Sequence, residues 1–338
     1  MSLIKKFFNK SKIIISSIRE PDSFFSDVYG KVYYPVYNPN AKFDTKLPDI
    51  YSKNGNKLKL IYTRDFTSAH SPYSDSNYLY FDRFNFGLKT HFYAHNEMLK
   101  QIGKPDYRFG LLEESESIVP EDYKIFDKHL DLYKDFNYIF THSYEILNKI
   151  PNAKYVPFCA NSWYGTERGG GILDPKLYEK KTKMVSILSS KQNKCDMHAR
   201  RLQCAFDCKN NNLADTFGTF DGGPIVKIAD TLTDYRYSIA IENDIKPYWY
   251  TERITSCFAS FTIPIYCGAP KIGDFFNTDG IIFISPEDCL DINKILKQCS
   301  IKDYESRIPA MIDNFNRVQN YYNISDYMYL NYMKDLGI

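Results

Sequence analysis

The sequence predicts an α/β protein of two domains, the second of them Rossmann-like, and three observations predict it. The chain has 338 residues, more than one hydrophobic core usually serves, so two domains of ordinary size are expected. Its second half alternates strand-like and helix-like runs. Between the halves, residues 165–173 contain the triplet Gly169-Gly170-Gly171, and Asp174-Pro175 then opens a new element. Glycines in a row remove side-chain restraint on the backbone, which suits a linker. A glycine triplet beside Arg168 also suits an anion loop, but it follows no clear strand and opens no helix. The expected domains are therefore 1–168 and 174–338.

Taken in order, the first half shows short apolar runs at 57–62, 107–112, 137–141 and 154–158 that read as strands. Residues 123–134 place Ile125, Phe126, His129, Leu130 and Tyr133 at near-helical spacing, and a short helical turn begins at Ser143. In the second half the pattern predicts strands at 184–188, near Thr216, at 237–241, 262–267 and 281–284. Helices are expected between them at 197–208, 251–260 and 290–299, with a mostly helical end over 303–336. Strands alternating with helices of this length imply a parallel sheet covered on both faces.

Composition narrows the function. With 43 Lys and Arg against 41 Asp and Glu, the formal charge is +2, which excludes a dedicated nucleic-acid binder and leaves any anionic ligand to a few placed cations. The 29 Tyr and 24 Phe suit carbohydrate stacking, and equally suit aromatic cores. The eight cysteines show no C-x-x-C pair, and Cys257, Cys267 and Cys289 lie in apolar or amphipathic runs. They read as free, buried thiols of a cytoplasmic protein, with no structural zinc. No run is long enough to span a membrane. Residues 3–12 carry Lys5, Lys6, Lys10 and Lys12 around Leu3, Ile4, Phe7 and Phe8. That segment reads either as an amphipathic element lying on a membrane surface or, more commonly, as a solvated helix end.

In open parallel sheets, ligands bind beyond the carboxyl ends of the strands, where helix N-termini offer unpaired N–H groups to anions. The informative stretch falls there. Glu242-Asn243-Asp244 follows a strand, Trp249-Tyr250 precedes Thr251-Glu252-Arg253 at a helix start, and the next strand, Thr262-Ile-Pro264-Ile-Tyr266, ends at Gly268. Thr251 suits an N-cap, while Glu252 and Arg253 in the first turn suit ribose hydroxyls and phosphate. Alone, Thr-Glu-Arg more often marks a capped helix with a surface ion pair.

The whole segment, ungapped over 237–270, resembles the donor-binding signature of the α1,3-fucosyltransferases, glycosyltransferase family 10. That signature runs Phe-Glu-Asn-Ser, a few polar residues, aromatic-x-Thr-Glu-Lys, and a Pro-containing strand ending in Gly. Upstream, 184–190 resembles the first strand of the family's donor domain, and Asp215-Thr-Phe-Gly218 looks like its Asp-x-Tyr-Gly segment. That spacing matches Arg201, ahead of Arg200, to the arginine on the donor phosphate. In the first half only Leu111-Leu-Glu113-Glu114-Ser115-Glu116-Ser117 looks like the acceptor-side Glu-Ser-Pro loop, with Ile118 in place of the Pro.

The resemblance implies a GT-B fold, two Rossmann-like domains facing a central cleft, with the acceptor on the first and the donor on the second. It implies an inverting transfer of fucose from GDP-fucose to a glycan or glycolipid. Arg201, Glu242, Asn243, Trp249, Tyr250, Thr251, Glu252, Arg253 and Gly268 would bind the donor. Glu116, or second to it Glu114, would take the acceptor proton. Arg253 replaces the family Lys and keeps its charge, whereas Asp244 and Trp249 replace Ser and Tyr and bear on the identity of sugar and base. No Asp-x-Asp occurs in the chain, so no metal cofactor is expected, and Arg201 and Arg253 take over the charge of the leaving diphosphate. Two rivals remain: transfer of another nucleotide-activated sugar on the same fold, and a non-catalytic carbohydrate-binding protein.

Overall fold

The computed structural model describes residues 52–65, 76–82, 85–165 and 170–338. The amphipathic segment suggested at 3–12, together with Arg168 and Gly169, lies outside them. The chain forms two compact units. The first holds the described residues up to Glu113, with Glu121–Val156 and Asn323–Ile338; the second holds Glu114–Pro120 and Pro157–Tyr322.

In the first unit a small antiparallel hairpin, β1 (Ser52–Lys53) and β2 (Asn56–Lys57), precedes a sheet of β3 (Lys59–Arg64), β4 (Leu79–Asp82), β5 (Thr90–Ala94), β6 (Tyr107–Leu112), β7 (Tyr138–Thr141) and β8 (Ala153–Tyr155). Its order is β4-β3-β5-β6-β7-β8, and every pair is parallel. Phe92, Phe109 and Phe140, one from each of three adjacent strands, are fully buried. The Phe109 and Phe140 rings stack at 5.3 Å and Phe92 meets Phe109 edge-on at 5.3 Å, so this part of the aromatic content is core.

The single helix expected over 123–134 is broken. A 3-10 turn (Asp122–Lys124), one α turn (Ile125–Lys128) and a second 3-10 turn (Leu132–Asp135) replace it. Tyr123, Ile125 and Phe126 are buried, but Leu130 is 71% exposed. With no core for the later positions to enter, His129 leaves the helical region at φ −132°, ψ 76°.

The second unit carries β9 (Lys183–Leu188), β10 (Asp215–Phe217), β11 (Tyr235–Ile241), β12 (Ile263–Cys267) and β13 (Ile282–Phe283) in the order β10-β9-β11-β12-β13. All pairs are parallel. Two α/β units on parallel sheets are thus what the alternating pattern predicts. Pro264 lies in β12, an inner strand, where a missing N–H would normally break a ladder. Cys267 O accepts from Glu242 N on one side and Tyr266 O from Ile284 N on the other. Pro264 therefore faces β13, whose pairing starts only at Ile265 with Ile282, and no ladder bond is lost.

The helices Asp196–Asn210 and Glu252–Ala259 follow β9 and β11, matching the expected positions. The helix expected over 290–299 contracts to Ile292–Leu296, preceded by a 3-10 turn at Asp288–Leu290. A five-residue helix, Ile228–Leu232, had no periodic signal. The eight cysteines are all thiols. Among the described residues no helix is long and apolar enough to cross a membrane.

Candidate active site

In the second sheet the chain runs from β9 outward to β10, then returns past β9 to β11. Adjacent connections leave the sheet in opposite directions between β9 and β11, and such a switch point opens a crevice at the carboxyl ends of those two strands. Two guanidinium groups mark these ends. Arg253 Nη1 donates to Leu188 O at the end of β9 (3.2 Å), and Arg201 Nη1 donates to Ile241 O at the end of β11 (2.9 Å). Arg201 is 4% exposed and Arg253 half-buried.

Burial lowers the pKa of Arg201, the like charge of Arg253 lowers it further, and Glu242 and Glu252 oppose both. Among the described residues neither arginine forms an ion pair, although burying a charge such as that of Arg201 is costly. Each has used one of its five N–H donors on the carbonyl named above. An anion with several oxygens fits what remains.

Glu242, directly after β11, is wholly buried. Thr251 N donates to its Oε1 (3.0 Å), Thr251 Oγ1 to its Oε2 (2.8 Å), and Tyr266 OH lies 3.5 Å from Oε1. Thr251 is the N-cap of the Glu252–Ala259 helix, with its hydroxyl accepting from Arg253 N at 3.3 Å. Glu242 thereby fixes the start of the helix that carries Glu252 and Arg253. Gly268 completes the corner: a Cβ there would lie 2.3 Å from Tyr266 OH and 2.5 Å from Glu242 Cγ, so only glycine admits this approach.

Burial, and then the nearby Glu252 charge, push the Glu242 carboxyl up to about 7 from an ordinary 4.5, against the lowering effects of Arg253 and Thr251. Between those values the folded chain holds a proton that the unfolded chain has released. The contribution of Glu242 to stability is therefore complete below 4.5 and is lost as pH rises through about 7. Glu242→Gln, which keeps the shape without the titration, is expected to flatten this part of the pH dependence in urea unfolding. A slope equal to the wild type's would contradict the shift.

The next residues turn inward. Asn243 Oδ1 accepts from Trp249 Nε1 (2.7 Å), and Trp249 is 1% exposed. Asp244 accepts from Ser117 N at Oδ2 and from Ile245 N at Oδ1, both at 2.9 Å; burial raises its pKa. Tyr250 packs into an aromatic cluster with Phe275, Phe276 and Tyr321. Glu252 is half-buried in the first helical turn. In the Glu114–Pro120 loop, Glu116 Oε2 lies 2.9 Å from Lys246 Nζ, while Glu114 Oε1 accepts from its own neighbour Ser115 N (2.8 Å). Arg201, Arg253, Glu242, Thr251, Glu252 and Gly268 thus meet at the switch point. Trp249 and Tyr250 are packed as scaffold beside it, and Glu116 is joined to the 242–246 segment through Lys246.

Arg200 turns elsewhere, donating to Pro286 O (2.9 Å). His198, one turn before Arg201, was not foreseen. Its Nδ1 accepts from Lys194 N (3.2 Å), so the neutral ring carries its proton on Nε2. Burial first, then Arg201, Arg253 and Lys194, push it down to about 4. The only sequence signal is the His198-x-x-Arg201 spacing, which puts both on one helix face. Gly218, ending β10 at φ +99°, comes so close to Ser189 that a Cβ would lie 2.2 Å from its carbonyl oxygen. Among the described residues no three His, Cys, Asp or Glu side chains gather as metal ligands.

No protein-family model matches the chain, and no curated protein sequence matches it either. Among solved structures, an α1,3-fucosyltransferase with GDP is 15% identical, over 88% of this chain and 93% of that one, with a TM-score of 0.48. Another α1,3-fucosyltransferase structure is 16% identical, over 74% and 80%, with a TM-score of 0.45. An α,α-trehalose-phosphate synthase (UDP-forming) from Burkholderia xenovorans, in complex with glucose-6-phosphate, is 9% identical over 73% of each chain, with a TM-score of 0.44.

Proposed function

We propose that the chain is an inverting glycosyltransferase of the α1,3-fucosyltransferase kind, taking GDP-fucose on residues 174–338 and a glycan or glycolipid acceptor on 1–168. One observation carries this reading: Arg201 and Arg253 stand, without ion pairs among the described residues, at the switch point of a parallel sheet, beside a capped helix N-terminus. The Glu242-Asn243 and Thr251-Glu252-Arg253 signature supports the same donor.

In the transfer, an acceptor hydroxyl oxygen bonds to the anomeric carbon as the bond from that carbon to the β-phosphate oxygen breaks. The hydroxyl proton goes to the Glu116 carboxylate, and the electron pair of the broken bond leaves with the diphosphate. Arg201, Arg253 and the first turn of the Glu252–Ala259 helix receive the charge that develops there. Attack opposite the nucleotide inverts the anomeric centre. Asp244 and Trp249, two of the departures from the family pattern, are bonded to Ser117 and Asn243.

Purified protein offered GDP-fucose and a panel of UDP-sugars without acceptor is expected to release GDP and leave the UDP-sugars intact. Consumption of a UDP-sugar alone would overturn the donor assignment. A protein that ignores both donors, and GDP itself in calorimetry, would be the carbohydrate-binding rival.

A further inference from the structure

Three functional elements are fastened to the five residues 242–246. Glu242 holds the cap of the helix bearing Arg253. Asn243 O accepts from Cys195 Sγ (3.1 Å) at the cap of the helix bearing Arg201, and from Ser117 Oγ (3.0 Å) in the acidic loop. Asp244 Oδ2 takes Ser117 N (2.9 Å), and Lys246 Nζ meets Glu116 Oε2 at 2.9 Å. The side chains of Lys246 and Glu116 are 37% and 14% exposed. A partly exposed pair adds little to stability, yet it sets the direction of the Glu116 carboxylate.

We infer that Lys246 is a positioning residue: its ammonium holds the Glu116 carboxylate in the orientation that accepts the proton, on a loop clamped by Asp244 and Asn243. The inference rests on the role proposed for Glu116. A charge-assisted bond to a compact cation fixes one rotamer of a flexible carboxylate, and small misplacement of a reacting group is expensive in rate. Lys246 acts through Glu116.

Hydrolysis of GDP-fucose without acceptor gives the test, since water then supplies the attacking oxygen and Glu116 takes its proton. Lys246→Met is expected to lower kcat about tenfold, with KM for GDP-fucose and the Kd of GDP unchanged. Lys246→Arg should restore most of the rate. In a Glu116→Gln background, Lys246→Met should have no further effect, because the group it positions is gone. A wild-type kcat in Lys246→Met, a loss that arginine does not restore, or weaker GDP binding would each overturn the inference. If Glu116→Gln is itself as fast as the wild type, or the wild type hydrolyses no nucleotide sugar, the functional reading fails and takes the inference with it. Slow Glu116→Gln beside fast Lys246→Met sinks the inference alone.

Discussion

Arg253→Ala is expected to lower turnover of GDP-fucose by about a hundredfold or more while leaving the fold intact. The leaving diphosphate gains charge only as the glycosidic bond breaks, so a cation fixed beside it stabilises the transition state more than the bound donor. Arg253 is fixed: one nitrogen bonds Leu188 O and its backbone N–H belongs to the capped first turn. Alanine removes the charge but keeps the cap, since Thr251 and Glu242 supply it, and the half-buried side chain leaves a carbonyl that water can reach. Arg201→Ala should slow turnover comparably. Steady-state kinetics together with thermal unfolding separate rate from fold, and near-normal kcat in folded Arg253→Ala would refute the assignment.

Glu116→Gln is expected to slow transfer by about a hundredfold or more, the usual contribution of a general base, with GDP affinity unchanged. The amide retains a hydrogen bond from Lys246 Nζ but cannot take a proton. Glu114→Gln should be mild, because that side chain closes on Ser115 N within its own loop. The reverse pattern, with Glu114→Gln inactive and Glu116→Gln active, would exchange the two roles.

Much of this was legible in the sequence, for reasons that also explain the omissions. β9, β11 and β12 are apolar runs bounded by polar tips, and Thr251 before an amphipathic run is a helix start in any context. By contrast β5, Thr-His-Phe-Tyr-Ala, was missed because it buries two polar residues at its start. His91 is satisfied by Tyr93 OH and Leu88 O, partners that lie outside any pattern of alternation. Periodicity overran at 123–134 because spacing reports which residues share a face and not whether a core awaits them, as exposed Leu130 shows.

At the site, residue types were readable while directions were not. Glu242 has the composition of a ligand-gripping carboxylate, yet both of its oxygens are turned onto Thr251, nine positions later. Lys246 and Glu116 are far apart in sequence, with Glu121–Val156 of the first unit and much of the second between them, and neither has a local signature. His198 inside a helix with Arg200 and Arg201 looks like a solvated basic face, yet it is buried, with Arg201 and Arg253 near it.

The most direct measurement is a crystal structure of the protein with GDP bound. The phosphate oxygens should lie within hydrogen-bonding distance of both the Arg201 and Arg253 guanidinium groups, at the first turn of the Glu252–Ala259 helix. Phosphates remote from both side chains would contradict the account.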